Sequence, residues 1–525
     1  MNAADTPQGF DAVAAAQQML AFEEELAAAP LTPSAPLPAQ KATAAARTPR
    51  PADQDGVLPA SLTDRGNAKL FARLHHEQFR HVEGLGWYEW GGYRWKRGSE
   101  KAVLWAAGEL AEQMPTSDPD MIYSNREIAL HRRRTSSTAG IKAFLEQAKA
   151  SPHLSMAPDQ LDSDPWALCT PAGVVDLRTG DLHKPSPLAG SHSRATSVAP
   201  EASPTPRWDR FLADTFGDDE PGREMVDFLH VLLGYSTTGD VGGQVLPFLH
   251  GLGANGKSVL LDVMLQLLGD YADAAPPGFL MDRGAFTEHS TELTELHGRR
   301  LVVCSELKAT DRFDEARVKL LTGGDKIKAR RMRQDYFSFT PTHHLWLLGN
   351  HRPEVTTGGF AFWRRIRLVP FEKTVSDENK IDNLAFELVR DEGPGILHWI
   401  VQGAVRYHRL REARKNGLTS ADPLEGPARV RLATNAYATT EDTIGRFLAE
   451  CCTRDSDQAA DLRVEQGQLY ATYTTWCNSG EGVRPTSARA FATRVRSDLG
   501  LATPNDMLKS NGRKYYPGIG LLATD

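Results

Sequence analysis

Residues 244–269 read QVLPFLHGLGANGKSVLLDVMLQLLG, and the rest of the chain is read outward from them. Residues 251–258 match G-x-x-x-x-G-K-S, the pattern of a phosphate-binding loop. An apolar run from Val245 to Leu249 enters the loop, and a strongly apolar helical pattern leaves it from Lys257. Gly251, Gly253 and Gly256 let the backbone wrap a phosphate where a Cβ would obstruct it. Leu252, Ala254 and Asn255 complete the loop. A helix opening at Lys257 aims its free N–H groups and positive dipole end at the same anion. Lys257 is placed to reach the β- and γ-phosphates of ATP, and the Ser258 hydroxyl to bind Mg²⁺. Pro247 cannot donate in a central ladder, so a bulge or a short strand is expected there.

The chain has 525 residues, enough for several domains and a sizeable core. A net charge of −7 gives no general argument for nucleic acid, so any basic site must be local. Five scattered cysteines without a C-x-x-C pair suit a reducing cytoplasm and offer no zinc framework. The start, MNAADTPQGF, lacks the features of a signal peptide, and no run approaches the ~20 apolar residues of a membrane span. A cytoplasmic location and no membrane contact are expected.

Composition divides the chain. Residues 1–60 read as a disordered tail and linker holding one short amphipathic pattern, AAQQMLAFEEEL. Residues 61–206 read as an α+β module with a plausible cap at Thr63 or Asp64. Its stretch GWYEWGGYRWKRG reads as a hairpin around Gly91–Gly92. The aromatics there form either a small β-core or, with Arg94, Lys96 and Arg97, a surface for stacking bases. The run His131–Arg134 reads as a solvated helix face. Residues 207–415 hold the phosphate loop, 416–440 read as a charged linker, and 441–525 as a final module.

Four further motifs follow the loop. RRLVVCSE (Arg299–Glu306) is an apolar strand ending in an acid, where a carboxylate can sit beside Mg²⁺ and polarise the attacking water. HLWLLGN (His344–Asn350) ends in an amide that offers both donor and acceptor to a lytic water or γ-phosphate, or else caps a turn. WRRIRLVPF groups Arg364, Arg365 and Arg367, suited to transferring phosphoryl charge or forming a surface cluster. TGGDKIKARRMR places Lys326, Lys328, Arg330, Arg331 and Arg333 together, as a hairpin facing a phosphodiester backbone or a solvated charge run.

In this order the motifs GLGANGKS, LVVCSE, LTGGDKIKAR, LWLLGNHRP and FWRRIRLVPF resemble the superfamily 3 helicases. More closely they resemble the phage/plasmid primase–helicase family related to the poxvirus helicase-primase. GNAKLFARLHHEQFRHVEGLGWYEWGGYRW and DPWALCTPAGVVDLRTGDLH extend the similarity upstream. The resemblance implies an α/β, AAA+-type P-loop ATPase core, a parallel sheet flanked by helices, assembled as a homohexamer around one DNA strand. It implies that residues 251–258 bind ATP, that Ser258 and Glu306 hold Mg²⁺ and that Glu306 activates water. Asn350 becomes a sensor, and Arg365, with Arg364 as contender, the finger that enters a neighbour's site. Lys326, Lys328, Arg330, Arg331 and Arg333 become the pore hairpin on single-stranded DNA. The family often carries a primase domain, but the residues ahead of Leu62 are too few for one, so primer synthesis by this chain is not expected; a separate primase and replication proteins are candidate partners.

Three helical patterns and a hairpin around Asn511–Gly512 suggest a winged-helix-like domain at the end of the chain. There Arg484, Arg489, Arg494, Arg496, Lys509, Arg513 and Lys514 are candidates for duplex phosphates. The expected activity is ATP-dependent unwinding of forked DNA in phage or mobile-element replication. The alternatives are a non-unwinding initiator ATPase and a P-loop phosphotransferase.

Overall fold

The computed structural model of the protein describes residues 58–118, 120–284, 291–305, 307–330, 336–356, 358–376, 380–454, 462–479 and 485–522. Thr63 caps the first helix, α1 (Asp64–His75), its hydroxyl accepting from the Gly66 N–H at 3.1 Å. Strands β1 (Phe79–Val82), β2 (Gly86–Trp90) and β3 (Trp95–Arg97) follow, then α2 (Glu100–Glu112), α3 (Asn125–Thr135), α4 (Thr138–Ala148) and β4 (Ser155–Met156). The aromatics of this hairpin face inward: Trp87, Tyr88 and Trp95 are buried. Of the two readings of the hairpin, the β-core holds. In α3, His131 is buried and bonds Asn67 at 2.9 Å, while Arg133 and Arg134 are exposed.

A second antiparallel sheet holds β5 (Ala167–Thr170), β6 (Gly173–Asp176) and β7 (Leu182–His183). Its Leu168, Cys169 and Val175 share a core with the helices after residue 206, not with α1–α4. Arg300, fully buried, donates to the carbonyls of Asp164, Pro165 and Ala167 and fixes this sheet to the next. Trp166, Leu168 and Cys169 therefore join the core of the helices after residue 206, while Leu161 joins that of Val82, Tyr88 and Trp95.

The central part runs α5 (Pro206–Phe216), α6 (Glu220–Thr237), β8 (Leu246–His250), α7 (Lys257–Leu268), β9 (Ala272–Ala274), β10 (Leu301–Cys304) and α8 (Glu315–Leu321). It continues β11 (Ile327–Arg330), β12 (Tyr336–Phe339), β13 (His344–Gly349), α9 (Phe360–Trp363), β14 (Ile366–Pro370), α10 (Leu384–Lys415) and α11 (Ala428–Glu441). Five of these strands form an all-parallel sheet in the order β14-β8-β13-β10-β9. Both faces are covered, so both are apolar. Leu301, Val303, Trp346 and Val369 enter one core, and Leu246, Phe248, Val302, Leu345 and Leu368 the other. The alternation is the two-residue period of a pleated strand.

Pro247 makes no bulge. The N–H of Leu246 points to β14, donating to Arg365 at 2.7 Å, so the donor that Pro247 lacks falls on the β13 side. There the pairing begins only at Phe248. Of this sheet's five strands in chain order, the first, β8, thus lies between the fourth and the fifth, and a crevice opens outside its carboxyl end, the usual ligand position in an open α/β sheet.

The stretch expected as a linker carries the fourteen-residue α11 instead. Val430 and Tyr437 are buried, and Thr434 accepts from the Leu368 N–H of edge strand β14 at 3.0 Å. An edge strand needs such cover. The last module comprises α12 (Thr443–Cys451), β15 (Cys452–Thr453), β16 (Arg463–Glu465), α13 (Gln466–Ser479), α14 (Ala488–Asp498), β17 (Leu508–Ser510), β18 (Arg513–Pro517) and β19 (Gly520–Leu521). The β17–β18 hairpin turns at Asn511–Gly512, with Asn511 at φ +50° and Gly512 at φ +76°. No helix among the described residues is long and apolar enough to cross a membrane.

Candidate functional site

The loop from β8 to α7 lines a cavity of about 440 Å³ with residues 253–259, Leu307, Leu348, Gly349, Asn350 and His351. Gly253 at φ +109° and Gly256 at φ +86° hold conformations that side chains resist. A Cβ on Gly251 would meet the Asn255 amide at 2.2 Å and the Phe371 carbonyl at 2.3 Å. Glycine is required there by close approach.

Lys257 is only 4% exposed, and its ammonium donates to the Gly251 carbonyl at 2.8 Å and to Asn255 Oδ1 at 2.7 Å. Burial lowers its pKa from the usual lysine value. Asn255, equally buried, donates through Nδ2 to the Phe371 carbonyl at 2.9 Å. It therefore ties the lysine to the exit of β14, a role the motif alone does not reveal. The Val375 N–H closes the same wall by donating to Ala254 at 2.7 Å. His250, at the end of β8, is pushed down to about 4, by burial first and then by the positive charges of Arg352, Lys257 and His351. Cationic groups thus gather at the carboxyl ends of β8 and β13, a setting that attracts a polyphosphate.

Ser258 is exposed and lines the cavity beside Lys257, so its hydroxyl is available to a metal bound with phosphate. Glu306 lies outside the described residues; its neighbour Leu307 lines the cavity. Asn350 is exposed at the end of β13, also on the cavity. The phosphate loop and Asn350, nearly a hundred residues apart in sequence, therefore meet at one site.

The two arginines do not meet it. Both precede β14, whose other end, Pro370, pairs with His250 next to the loop. Six strand steps at about 3.3 Å put Arg364 roughly 20 Å from its own cavity. Arg365, the better match by spacing, is 7% exposed. Its Nε donates to Thr322 Oγ1 at 3.0 Å, Nη2 to Gln244 Oε1 at 3.3 Å, and Nη1 to the Ala361 carbonyl. Burial and then Arg364 lower its pKa. Arg365 is thus held on three sides within its own chain. Arg364 is exposed and bonded to Gln244 alone among the described side chains. Gln244, at φ +51°, holds both arginines and carried no sequence signal.

Lys328 and Arg330 stand on the outer face of the β11–β12 ribbon, with Ile327 and Ala329 buried beneath. Lys326 is exposed just before it, and Arg331 and Arg333 lie outside the described residues. In the last module Arg494 pairs with Asp442 at 2.7 Å and Asp498 at 3.3 Å, and Arg513 with Glu465 at 2.8 Å. Arg489, Lys509 and Lys514 are exposed, Arg496 is half-buried, and Arg484 lies outside the described residues.

Known proteins share these regions. Residues 68–217 match the family described as D5 N terminal like, and residues 249–365 a family of unknown function, DUF5906. "Putative helicase L207/L206" of Acanthamoeba polyphaga mimivirus is 31% identical over 153 residues, 29% of this chain and 16% of that protein. "Putative helicase 184R" of Invertebrate iridescent virus 6 is 28% identical over 256 residues, covering 44% of this chain and 26% of that one. "Putative helicase 121R" of Invertebrate iridescent virus 3 is 23% identical over 378 residues, or 67% and 39%. The chain thus spans well under half the length of these relatives. The apo structure of the NrS-1 C-terminal region aligns with a TM-score of 0.47 at 10% identity, covering 86% of this chain and 98% of that one. With the phosphate loop, the strand ending at Asn350 and the upstream module in hand, the chain carries a D5 N terminal like region and is similar to putative helicases of large DNA viruses.

Proposed function

We propose that the chain is an ATP-dependent DNA helicase of a phage or mobile element, a ring of identical subunits, six by family resemblance, that moves on single-stranded DNA during replication initiation. The observation that carries this reading is Lys257, buried at the head of α7 and facing a cavity shared with Asn350.

ATP is the substrate. Its phosphates would lie over the loop amides and the α7 N-terminus, where N–H groups without helical partners await an anion. Lys257 carries three donor protons and spends two on Gly251 and Asn255, so it can add a bond to a phosphate without surrendering its tether. Ser258 and Glu306 would hold Mg²⁺, which neutralises charge on the β- and γ-oxygens when bound. Glu306 would take the proton of the attacking water, and Asn350 would position that water or report the γ-phosphate.

Completion of the site falls to a second subunit, because no arginine of the β14 approach reaches the chain's own cavity. A head-to-tail contact would let exposed Arg364 enter the neighbour's site. The sheet order and the switch point beside β8 support an AAA+-type core, and the three helices followed by the β17–β18 hairpin in the last module support a winged helix that touches duplex through Arg489, Arg496, Lys509 and Lys514. The cationic β11–β12 ribbon would grip the strand.

The test is ATP hydrolysis and fork unwinding by purified wild type beside Lys257→Ala. DNA-stimulated hydrolysis and strand separation are expected in wild type, and both are lost in the variant. Hydrolysis indifferent to single-stranded DNA, without strand separation, would defeat the assignment.

A further inference from the structure

The β11–β12 ribbon carries an aromatic ring that phosphate contacts do not require. Tyr336 is 54% exposed, although tyrosines of this size usually bury most of the ring. It stands directly opposite Arg330 in the ladder and diagonal to Lys328. The Lys328 ammonium lies 4.9 Å, and the Arg330 guanidinium carbon 5.3 Å, from the ring centroid.

The ribbon holds this face in place from beneath. Ile327, Ala329 and Phe339 are buried on its inner side. Phe339 packs on His297 at 5.2 Å between ring centroids. The outer face therefore offers an exposed ring with two cations beside it. Both cations come from β11, and more than half of Tyr336 stays open to solvent beside them.

We propose that Tyr336 is a stacking platform for one base of a single-stranded nucleic acid, with Lys328 and Arg330 on the flanking phosphates. This rests on the ribbon being the strand-gripping element of the proposed helicase, and it adds what charge cannot supply. Phosphate contacts alone are alike along the strand, whereas a stacked base fixes one nucleotide per ribbon. Every base has a π-face, so the platform is indifferent to sequence.

The experiment compares binding of the full-length protein to a fluorescent oligothymidylate and to the same backbone with abasic sites, over a salt series. Tyr336→Ala should weaken binding of the base-bearing strand by about five- to a hundredfold, the span of one base–aromatic stack, and leave the abasic strand within about twofold. Tyr336→Phe should retain wild-type binding. Lys328→Ala should weaken both strands alike and flatten the salt slope by about 0.7, the value for one single-strand phosphate contact. Equal losses on both strands in Tyr336→Ala, or none on the base-bearing strand, would overturn the platform while leaving the helicase reading intact. Wild type that binds neither strand would overturn both.

Discussion

Substituting Arg364 and Arg365 one at a time separates a trans-acting arginine from a structural one. Arg365→Ala removes three hydrogen bonds from a guanidinium that is 7% exposed and leaves Thr322 Oγ1, itself buried, without that donor. Bonds from a charged donor contribute about 1.5–3 kcal/mol each, and release of a desolvated charge offsets part of the loss, so about 2–4 kcal/mol of stability should go. Arg364→Ala removes an exposed group with a single partner, and the cost should stay within about 0.5 kcal/mol. Catalysis should show the reverse order. An arginine delivered across a subunit interface contributes about 10³-fold or more to kcat, so Arg364→Ala should fold normally and hydrolyse ATP at about a thousandth of the wild-type rate. Urea unfolding reads the first effect and steady-state hydrolysis the second. Mixing Arg364→Ala with Lys257→Ala then tests the trans geometry, because in a head-to-tail ring about a quarter of the contacts join an intact loop to an intact arginine. The mixture should recover activity that neither variant has. Arg364→Ala with kcat within fivefold of wild type, or a mixture as inactive as its parts, would refute the reasoning.

Acid should destabilise the fold through the paired histidines at the start of β13. Burial pushes His343 down to about 4 and His344 to about 3, against an ordinary value of 6.5. The unfolded chain therefore takes up protons that the folded one refuses, and stability present above pH 6.5 falls as pH drops towards 4, by about 1.4 kcal/mol per pH unit for each histidine. His344→Gln should remove one proton's share of that slope in urea titrations from pH 7 to 5, and an unchanged slope would reject the account. Arg300→Met should cost about 3–5 kcal/mol by leaving the carbonyls of Asp164, Pro165 and Ala167 without their donor; a loss below 1 kcal/mol would mean that the β5–β7 sheet is not held through it.

What the sequence disclosed and withheld follows from the range of the forces involved. The phosphate loop is legible because its glycines, lysine and serine lie within eight residues and each answers a local requirement. The strand ending at Asn350 is legible as a buried run, though its arrival beside the loop depends on the 5-1-4-3-2 strand order, which no local pattern encodes. The setting of Arg365 was withheld for a different reason. Spacing along the strand does not tell what fills the space beside it. The groups that hold Arg365 are Thr322, 43 residues away, and Gln244, 121 residues away. Tyr336 escaped notice because the basic run dominates its neighbourhood, and only the ladder register brings ring and cations together.

The misread linker has the widest consequence. ARVRLATNAYATTE offers few apolar positions, so its helix forms because β14 needs a cover and not because the segment is strongly amphipathic. Once formed, α11 reaches the segment that follows the cavity-lining residues Asn350 and His351. Tyr437 donates through its hydroxyl to the Pro353 carbonyl, and Glu441 accepts from the Val355 N–H at 2.9 Å, both in the segment that continues from Asn350 and His351. One residue on, Asp442 caps α12 by accepting from Gly445 at 2.9 Å and pairs with Arg494 of α14. Every residue on this route is bonded to the next element, so a shift of the 350–355 segment meets a rigid helix and not a flexible tether. That is why the last module is best regarded as mounted on the segment that follows the cavity, with the proposed duplex-binding helix α14 only two ionic or hydrogen-bonded steps from it.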